Sequence, residues 1–499
     1  MLVQFATRRS RHVLLTGATG FLGTALLEAL LRHTDARISV LVRPTGTLSA
    51  HDRIHAVLLS DAFAPLRAER GPLMLNECLA RINVIPGDLA GLQPRAPGAR
   101  PPITLPSDID TVIHSASSVS FDDDLETALA TNVEGPAALY RALSGLTGSP
   151  HVIHISTAYV NAGRVRVALE RPVNHDIDWR LELAALRDDT DLRTNPLTGR
   201  RHAQRRGWTD TYTFSKALGE RVAEEEWAGR GHHLTVLRPA IIESALARPY
   251  PGWLDGFKVA DPLISAYAEG RLTDFPGRGR AAIDLVPVDA VVDTTLAAAA
   301  RPPLSGRARY LHVASSRLNP LRLDELKPHV DTALNTYGWP GDTPPTGTRP
   351  LRFHTRAVVR AGLRLARARL LAHSAWRGAD ARSIARGRAL DRLSKYVDLY
   401  APYTCNPTTF DATAASALLD AHRQGGASVV ELSDIDWSHY LTHVHVPALG
   451  RQRRWWPHES AVAAARAQAL AVSRVTTGGA LIDSTRATPV GRTSQPIAS

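Results

Sequence analysis

The stretch His12-Val-Leu-Leu-Thr-Gly-Ala-Thr-Gly-Phe-Leu-Gly23 determines how the rest of the chain is interpreted. An apolar run leads directly into three glycines, Gly17, Gly20 and Gly23, which are spaced three residues apart. Glycine weakens regular helices and strands, so three at a predicted strand-to-helix junction indicate that another group approaches the backbone closely. A pyrophosphate at the helix N-terminus fits that requirement.

Outward from this stretch, apolar runs alternate with longer helical segments as far as residue 240, which is typical of βαβ units. The predicted strands are residues 12–16, 38–43, 82–88, 111–116, 151–157 and 234–239. The predicted helices cover residues 21–33, 124–146 and 211–227. This pattern predicts an α/β fold with a doubly wound parallel sheet of the extended Rossmann type and a smaller, mainly helical C-terminal domain.

Several segments do not fit the minimal alternation. Residues 47–80 form an insertion, residues 164–208 a long polar excursion that is a candidate lid or membrane contact, and residues 240–310 a substrate-facing lobe. A run rich in Pro, Gly and Thr at 337–350 is typical of a linker. We therefore predict a nucleotide-binding domain with its substrate lobe over 10–335, a helical domain over 351–460 and a disordered tail over 473–499.

Composition limits the class of protein. The 499 residues carry 59 basic and 48 acidic side chains, and this net charge of +11 favours anionic ligands unless it reflects a composition bias of the source. Two cysteines, Cys78 and Cys405, exclude a disulfide framework and a cysteine-rich zinc site. The first residues lack the apolar core of a signal peptide, and no later stretch is long and apolar enough to span a bilayer. We expect a cytoplasmic protein, with peripheral contact to the inner face of the membrane as an option.

The glycine-rich loop is the first part of the predicted cofactor site. Its proposed contact residues are Thr16, Gly17, Thr19, Gly20, Phe21, Leu22 and Gly23. At the end of the second strand, where an acidic residue commonly binds the ribose hydroxyls of NAD, the chain has Arg43. An arginine can pair with a 2′-phosphate, so the sequence favours NADPH over NADH. A solvated arginine at a strand end is the alternative.

Other candidate cofactor contacts follow later strands, at the edge of the sheet where open α/β sheets bind ligands. They are Asp88 and Leu89 after the third strand, Ser115 and Ala116 at the end of the fourth, and Pro239 at the end of the sixth. An Asp88 carboxylate is suited to accept a hydrogen bond from the adenine amine. Asp and Ser are also ordinary turn residues, so each of these signals is weak by itself.

A tyrosine and a lysine supply the candidate catalytic pair. Tyr212 and Lys216 lie four residues apart and therefore on one helical face, where the lysine charge is expected to lower the pKa of the phenol. Thr157, preferred over Ser156, ends the fifth strand and could donate to the same substrate oxygen. Asn132 lies inside a predicted helix, where it could orient a water or a backbone group beside Lys216. A surface Tyr/Lys pair and a tolerated polar residue remain the alternatives.

These motifs together resemble a known family. TGATGFLG, Asn132, Thr157 and the Tyr212/Lys216 pair are similar to the extended short-chain dehydrogenase/reductase superfamily. Within it, ISTAYVNAG (155–163), YTFSKALGE (212–220), PYPGWLDG (249–256) and YAPYTCNPTTFD (400–411) resemble fatty acyl-CoA reductases of the male-sterility family. The resemblance covers most of residues 12–450. It implies NADPH-dependent reduction of a long-chain acyl-CoA or acyl-carrier-protein thioester to the aldehyde, and often to the primary alcohol.

Other functions stay open at this stage. A nucleotide-sugar epimerase or dehydratase on the same scaffold would retain NAD tightly, and a non-catalytic NADP-binding scaffold would bind without turnover.

His439, His443 and His445 have metal-compatible spacing, but no carboxylate motif accompanies them, and we expect no metal. Arginines from 352 to 367 share one helical face, which is typical of an anionic membrane contact, a coenzyme A phosphate contact or a solvated surface. The segment has few aromatic residues, and we expect no nucleic acid partner.

Overall fold

The fold is built on a seven-stranded, fully parallel sheet in the order β7-β6-β5-β4-β1-β2-β3. A computed structural model describes residues 12–93, 102–120, 123–257, 260–270, 272, 274–340, 352–378 and 380–456. The strands are β1 (His12–Thr16), β2 (Arg37–Val42), β3 (Ile82–Pro86), β4 (Thr111–His114), β5 (His151–Ile155), β6 (Leu234–Pro239) and β7 (Ala308–Val313). The strand order reverses between β1 and β4, which is the position where doubly wound sheets bind ligands. The predicted fold class is confirmed.

Two hydrophobic cores cover the two faces of this sheet. Leu14 belongs to one core and its neighbour Leu15 to the other, because successive side chains of a strand point to opposite faces. Both leucines are fully buried, which explains why the strands read as continuous apolar runs.

The structure corrects the strand boundaries. Four predicted strands end one to two residues too late, so that Arg43, Asp88, Ala116 and Thr157 lie in the loops just after their strands. Strand β7 was not predicted at all, because the segment before it departs from the alternation. The loop positions leave these side chains free of the sheet at its carboxyl edge.

Helices fill the connections. They are Phe21–His33, Ala50–Leu59, Ala64–Arg70, Met74–Arg81, Leu125–Leu129, Gly135–Ser144, Trp179–Asp188, Thr190–Thr194, Pro196–Arg205, Thr211–Glu226, Asp261–Ala268, Val288–Ala300, Leu323–Tyr337, Arg356–Arg377, Ala381–Thr404, Thr413–Gln424, Trp437–His439 and Val446–Gln452. The predicted helix over 124–146 is interrupted by a π-helical turn, Ala130–Glu134, and a second such turn is Tyr440–His445. The 164–208 excursion is folded, and it buries Trp179 and Trp208 in the same core as the helix Thr211–Glu226. It therefore packs as part of the body and does not form a loose lid.

Short strands add small pairings outside the main sheet. They are Val167–Ala168, Ile241–Glu243, Asp274–Pro276, Ala282–Ile283, Leu285–Pro287, Leu321–Arg322, Arg352–His354 and Thr409–Phe410. Strand Arg352–His354 pairs with Asp274–Pro276, and strand Thr409–Phe410 pairs with Val167–Ala168. Residues on both sides of the predicted linker thus pack together. Of the predicted linker at 337–350, Tyr337 ends a helix and residues 341–350 lie outside the described residues, as does the predicted tail at 473–499.

The arginine-rich region is a helical hairpin, formed by Arg356–Arg377 and Ala381–Thr404. The predicted helix began too early, since Arg352 belongs to a strand. Part of the predicted basic face points at the second helix of the hairpin, where Arg356 and Arg360 pair with Asp398 at 3.1 and 3.2 Å. Among the described residues, no helix has both the length and the apolarity needed to cross a membrane.

Candidate active site

The glycine-rich loop joins β1 to the helix Phe21–His33 and shows why glycine is needed there. Gly17 has φ +75°, and an added Cβ would lie 2.7 Å from the Ala116 nitrogen. A Cβ on Gly23 would overlap the Gly17 carbonyl, so the last glycine allows the helix to pack against the loop. Gly20 precedes the first turn of the helix and has only ordinary contacts on its Cβ side. The loop and the helix N-terminus therefore form a cradle that suits a pyrophosphate.

The ends of β1 and β4 are tied together behind this cradle. The Thr16 hydroxyl accepts a hydrogen bond from the Ala116 backbone nitrogen at 3.1 Å and lies 2.8 Å from His114 Nδ1. Burial and, secondarily, the charge of Lys216 lower the pKa of His114 to about 3, so this imidazole is neutral. The predicted residues Ser115 and Ala116 therefore border the cradle at the point where the strand order reverses.

Beyond β2, two arginines lie in the segment that follows the strand, and one of them contacts the glycine-rich loop. Arg43 is exposed at the predicted position. Arg53, from the helix Ala50–Leu59, donates to the Arg43 carbonyl at 2.5 Å and to the Thr19 hydroxyl at 3.0 Å. Sequence reasoning missed Arg53, because its place beside the loop depends on how that helix packs. The structure thus places the Arg53 guanidinium against the phosphate cradle, with Arg43 exposed at the end of β2.

The other predicted cofactor contacts take varied positions. Asp88 is exposed, and one of its oxygens accepts from the Gly91 backbone nitrogen at 3.0 Å, which leaves the other oxygen toward solvent. Leu89 and Leu22 are buried. Phe21 stacks on Trp253 of the substrate lobe, with ring centroids 4.9 Å apart. Pro239 ends β6, and its carbonyl accepts from Thr157, so it borders the catalytic residues rather than the glycine-rich loop.

Tyr212 and Lys216 lie on the helix Thr211–Glu226, as predicted. We call this element the Tyr212 helix. The Lys216 ammonium is buried and donates to the Ile155 carbonyl at 2.5 Å. Burial lowers the pKa of Lys216 to about 8, an effect that Glu220 opposes. The lysine is thus anchored to the carboxyl end of β5, two residues before Thr157.

The structure corrects the expected state of the phenol. Burial raises the pKa of Tyr212 above its ordinary value, a hydrogen bond with Thr157 lowers it in part, and the charge of Asp210 raises it again. The charge of Lys216 was predicted to lower the pKa of this phenol, but the pKa is raised instead. The Lys216 ammonium is bound to the Ile155 carbonyl. The phenol is protonated in this state and can donate a proton. The predicted partners Thr157 and Tyr212 are in direct contact, and the Thr157 hydroxyl also lies 3.4 Å from the Pro239 carbonyl.

Asn132 lies in the π-helical turn, and its amide is fully engaged. Its oxygen accepts from the Ser117 hydroxyl at 2.9 Å and from the Ser118 nitrogen at 3.0 Å. Its NH₂ group donates to the Ser118 carbonyl at 3.1 Å and to the Ser215 hydroxyl at 3.0 Å. Asn132 therefore fastens the loop after β4 to the residue before Lys216. Four hydrogen bonds exceed what a merely tolerated polar residue would make.

Two further residues at this site were missed. Asp210 caps the Tyr212 helix by accepting from the Thr213 nitrogen at 2.7 Å, and Asp two residues before Tyr212 was an available N-cap signal. Tyr403, from the C-terminal hairpin, donates to the same carboxylate at 3.1 Å. No local pattern could have revealed a contact between residues 193 positions apart.

The three C-terminal histidines do not converge. His445 is fully buried, 3.3 Å from Asp261 and 4.0 Å from Glu243, whereas the ring of His443 lies 3.1 Å from the Tyr337 hydroxyl. Two carboxylates thus accompany one of the histidines, contrary to the sequence argument, because the chain brings them from the substrate lobe. This cluster ties the C-terminal region to that lobe. The absence of a metal stays a prediction.

Comparison with known proteins assigns the class. The solved terminal R domain from the myxalamid PKS-NRPS biosynthetic pathway superposes on this chain with a TM-score of 0.60 and 22% sequence identity. The superposition covers 90% of this chain and 93% of that domain, and it supports the extended Rossmann-type fold. The sequence model of the male sterility protein family matches residues 15–295. The chain belongs to this family, and it is an NAD(P)-binding oxidoreductase. The resemblance noted from the motifs is confirmed.

Curated relatives extend the similarity into the C-terminal region. Fatty acyl-CoA reductase 1 of Arabidopsis thaliana is 29% identical, with 90% of this chain and 98% of that protein covered. The alcohol-forming fatty acyl-CoA reductase of Simmondsia chinensis is 25% identical, with 88% and 96% covered. Both alignments pass well beyond the family match at residue 295 and include the helical hairpin.

Proposed function

We propose that the protein reduces a fatty acyl-CoA thioester to the fatty aldehyde and then to the primary alcohol, with NADPH as reductant. The observation that carries this proposal is the hydrogen-bonded Thr157/Tyr212 pair, with Lys216 anchored beside it at the carboxyl edge of the sheet. The names of the curated relatives support the substrate class and the alcohol product. A carrier-protein thioester would present the same acyl carbonyl.

The preference for NADPH rests on the two arginines after β2. Arg43 is exposed at the end of β2, the position that in a Rossmann fold faces the adenosine ribose, and Arg53 links the Arg43 carbonyl to Thr19 of the glycine-rich loop. A guanidinium attracts a 2′-phosphate, whereas the acidic residue typical of NAD-specific sites would repel it. Ser115, Ala116 and the second oxygen of Asp88 would complete the contacts to the nucleotide.

When bound, a first NADPH would supply the hydride that converts the thioester to the aldehyde with loss of the CoA thiolate, and a second NADPH would supply the hydride that converts the aldehyde to the alcohol. The hydroxyls of Thr157 and Tyr212 donate hydrogen bonds to the carbonyl oxygen as negative charge develops on it. Tyr212 then gives its proton to the alkoxide, as its raised pKa in the free protein allows. The charge of Lys216 would stabilise the phenolate that remains, and its ammonium would also bind the ribose of the cofactor.

We propose that a narrow apolar groove receives part of the acyl chain. Its walls come from the helices Asp261–Ala268 and Leu323–Tyr337 and from the paired strands Asp274–Pro276 and Arg352–His354. Leu263, Leu272, Phe275, Val330 and Phe353 line it. The N-terminal and C-terminal parts of the chain both contribute, which gives the second domain a role in binding substrate.

We also propose peripheral contact with the inner face of the cytoplasmic membrane through the helical hairpin. Residues 356–404 carry eleven basic and three acidic side chains. On the first helix of the hairpin, Val358 and Leu365 are each 52% exposed and Trp376 is 81% exposed. Exposed apolar side chains among cationic ones are typical of helices that lie on anionic bilayers, where a long-chain substrate also partitions.

The test is NADPH oxidation with palmitoyl-CoA, combined with gas chromatography of the products. We expect hexadecanal and hexadecanol from the wild type, and a loss of at least about 100-fold in kcat for Tyr212→Phe, since the proton donor is removed. Retained NAD without NADPH consumption would support the epimerase or dehydratase alternative. NADPH binding without turnover would support the scaffold alternative, and unchanged turnover in the variant would refute the mechanism.

A further inference from the structure

The segment 401–411, at the end of the hairpin, crosses the candidate active site. Tyr403 donates to Asp210 Oδ2 at 3.1 Å, and both residues are buried. Thr404 donates to the Pro276 carbonyl at 2.6 Å, next to a lining residue of the apolar groove. Further on, Asn406 accepts from the Gly163 nitrogen at 3.2 Å. One stretch of the C-terminal region therefore contacts the strand that carries the groove residue Phe275, the N-cap of the Tyr212 helix and the loop that follows Thr157.

Asp210 connects Tyr403 to the Tyr212 helix. One carboxylate oxygen, Oδ1, accepts from the Thr213 nitrogen at 2.7 Å and from the Thr213 hydroxyl at 2.9 Å. The other oxygen, Oδ2, accepts from Tyr403 and from the Thr209 hydroxyl at 3.0 Å. Since both oxygens are engaged, the phenol of Tyr403 fixes the rotation of the cap. The cap in turn fixes the first turn of the helix, which contains Tyr212.

Tyr403 also packs against the loop that follows Thr157. The ring of Tyr159 lies edge-on to Tyr403 at 4.6 Å and to Phe410 at 5.3 Å. The Tyr159 nitrogen donates to the Thr157 hydroxyl at 3.3 Å, so the position of Tyr159 helps to orient that hydroxyl. A single side chain from the C-terminal region thus touches both elements that present the oxyanion donors.

We propose that Tyr403 is a positioning residue for the reduction, holding Thr157 and Tyr212 in register with the substrate carbonyl. This inference rests on the proposed function, in which those two hydroxyls bind the developing oxyanion. It assigns the C-terminal region a part in the chemical step as well as in binding the acyl chain. Burial and the nearby Asp210 charge raise the pKa of Tyr403, so its hydroxyl stays protonated and donates to the carboxylate.

The test compares two Tyr→Phe variants. Each removes one hydrogen bond from a tyrosine to a carboxylate at one end of the Tyr212 helix. Tyr403→Phe removes the bond to Asp210 at the N-terminus, and the control Tyr310→Phe removes the bond to Glu224 near the C-terminus. The wild type and Tyr212→Phe are measured beside them. The readouts are kcat and KM for palmitoyl-CoA, KM for NADPH, and the melting temperature Tm.

We expect Tyr403→Phe to lower kcat about tenfold or more, since sub-ångström misplacement of reacting groups is costly, while KM for NADPH stays within about twofold. The control is expected to lower Tm by a similar amount and to keep kcat. Equal kcat in Tyr403→Phe and the control would overturn the inference while Tyr212→Phe remains inactive. An active Tyr212→Phe would instead refute the proposed function, and the inference with it.

Discussion

Replacing Arg43 by alanine gives a sharp test of the cofactor preference. The side chain is exposed, so its pairing with a 2′-phosphate is screened, and we take about 1 kcal/mol for it. That free energy corresponds to a rise of about fivefold in KM for NADPH. KM for NADH is expected to stay unchanged, because NADH carries no 2′-phosphate. The selectivity between the two cofactors therefore falls by the same factor of about five.

Arg53→Ala should behave differently. Arg53 donates to the Arg43 carbonyl and to Thr19 of the glycine-rich loop, so its loss disturbs the cradle for either dinucleotide. We expect KM to rise for both NADPH and NADH. The assay is the initial rate with each cofactor at saturating palmitoyl-CoA, with exposed Arg187→Ala as the control. An unchanged NADPH to NADH ratio in Arg43→Ala would refute the assignment of Arg43 to the 2′-phosphate.

Three further changes have expected outcomes. Gly23→Ala should abolish NADPH binding, because the added Cβ overlaps the Gly17 carbonyl. The measurement is the rise in Tm on adding NADPH, which should be lost. The control is Gly362→Ala, since no atom lies within 4 Å of the added Cβ there. Lys216 carries a proton only below its lowered pKa of about 8, so kcat/KM should fall as the pH rises through about 8. In a pH profile of Lys216→Met, this fall should be absent. Trp376→Ser should weaken co-sedimentation with phosphatidylglycerol vesicles and leave kcat on short-chain acyl-CoA unchanged. The control Leu304→Ser, at a site 78% exposed outside the hairpin, should change neither the co-sedimentation nor kcat.

Sequence alone could predict what depends on local pattern. The order of strand, glycine-rich loop and helix identifies β1 and the cradle, and the four-residue spacing places Tyr212 and Lys216 on one face. Strand ends were overestimated, because the point where pairing stops depends on the neighbouring strands and is not encoded in the local residue pattern. The predicted lowering of the Tyr212 pKa was wrong, since this pKa depends on burial and on where the Lys216 ammonium is bound. Spacing along a helix contains neither quantity.

Contacts between distant segments escaped prediction for a related reason. Tyr403 and Asp210 are 193 residues apart, and His445 lies beside Asp261 although no carboxylate is near it in the sequence. Such pairs depend on how the C-terminal region packs on the substrate lobe. Propensity and periodicity describe single elements and do not determine this packing.

The same contacts explain why this fold needs its C-terminal region. A parallel sheet with its glycine-rich loop can bind a dinucleotide, and the Tyr212 helix can present a phenol, without any residue beyond β7. The groove proposed to bind the acyl chain cannot form that way, since Phe353 supplies part of its wall. The cap of the Tyr212 helix is also completed from outside, by Tyr403. Binding of the acyl chain and alignment of the proton donor therefore depend on one packed unit, and a change in its packing should alter both chain-length preference and kcat.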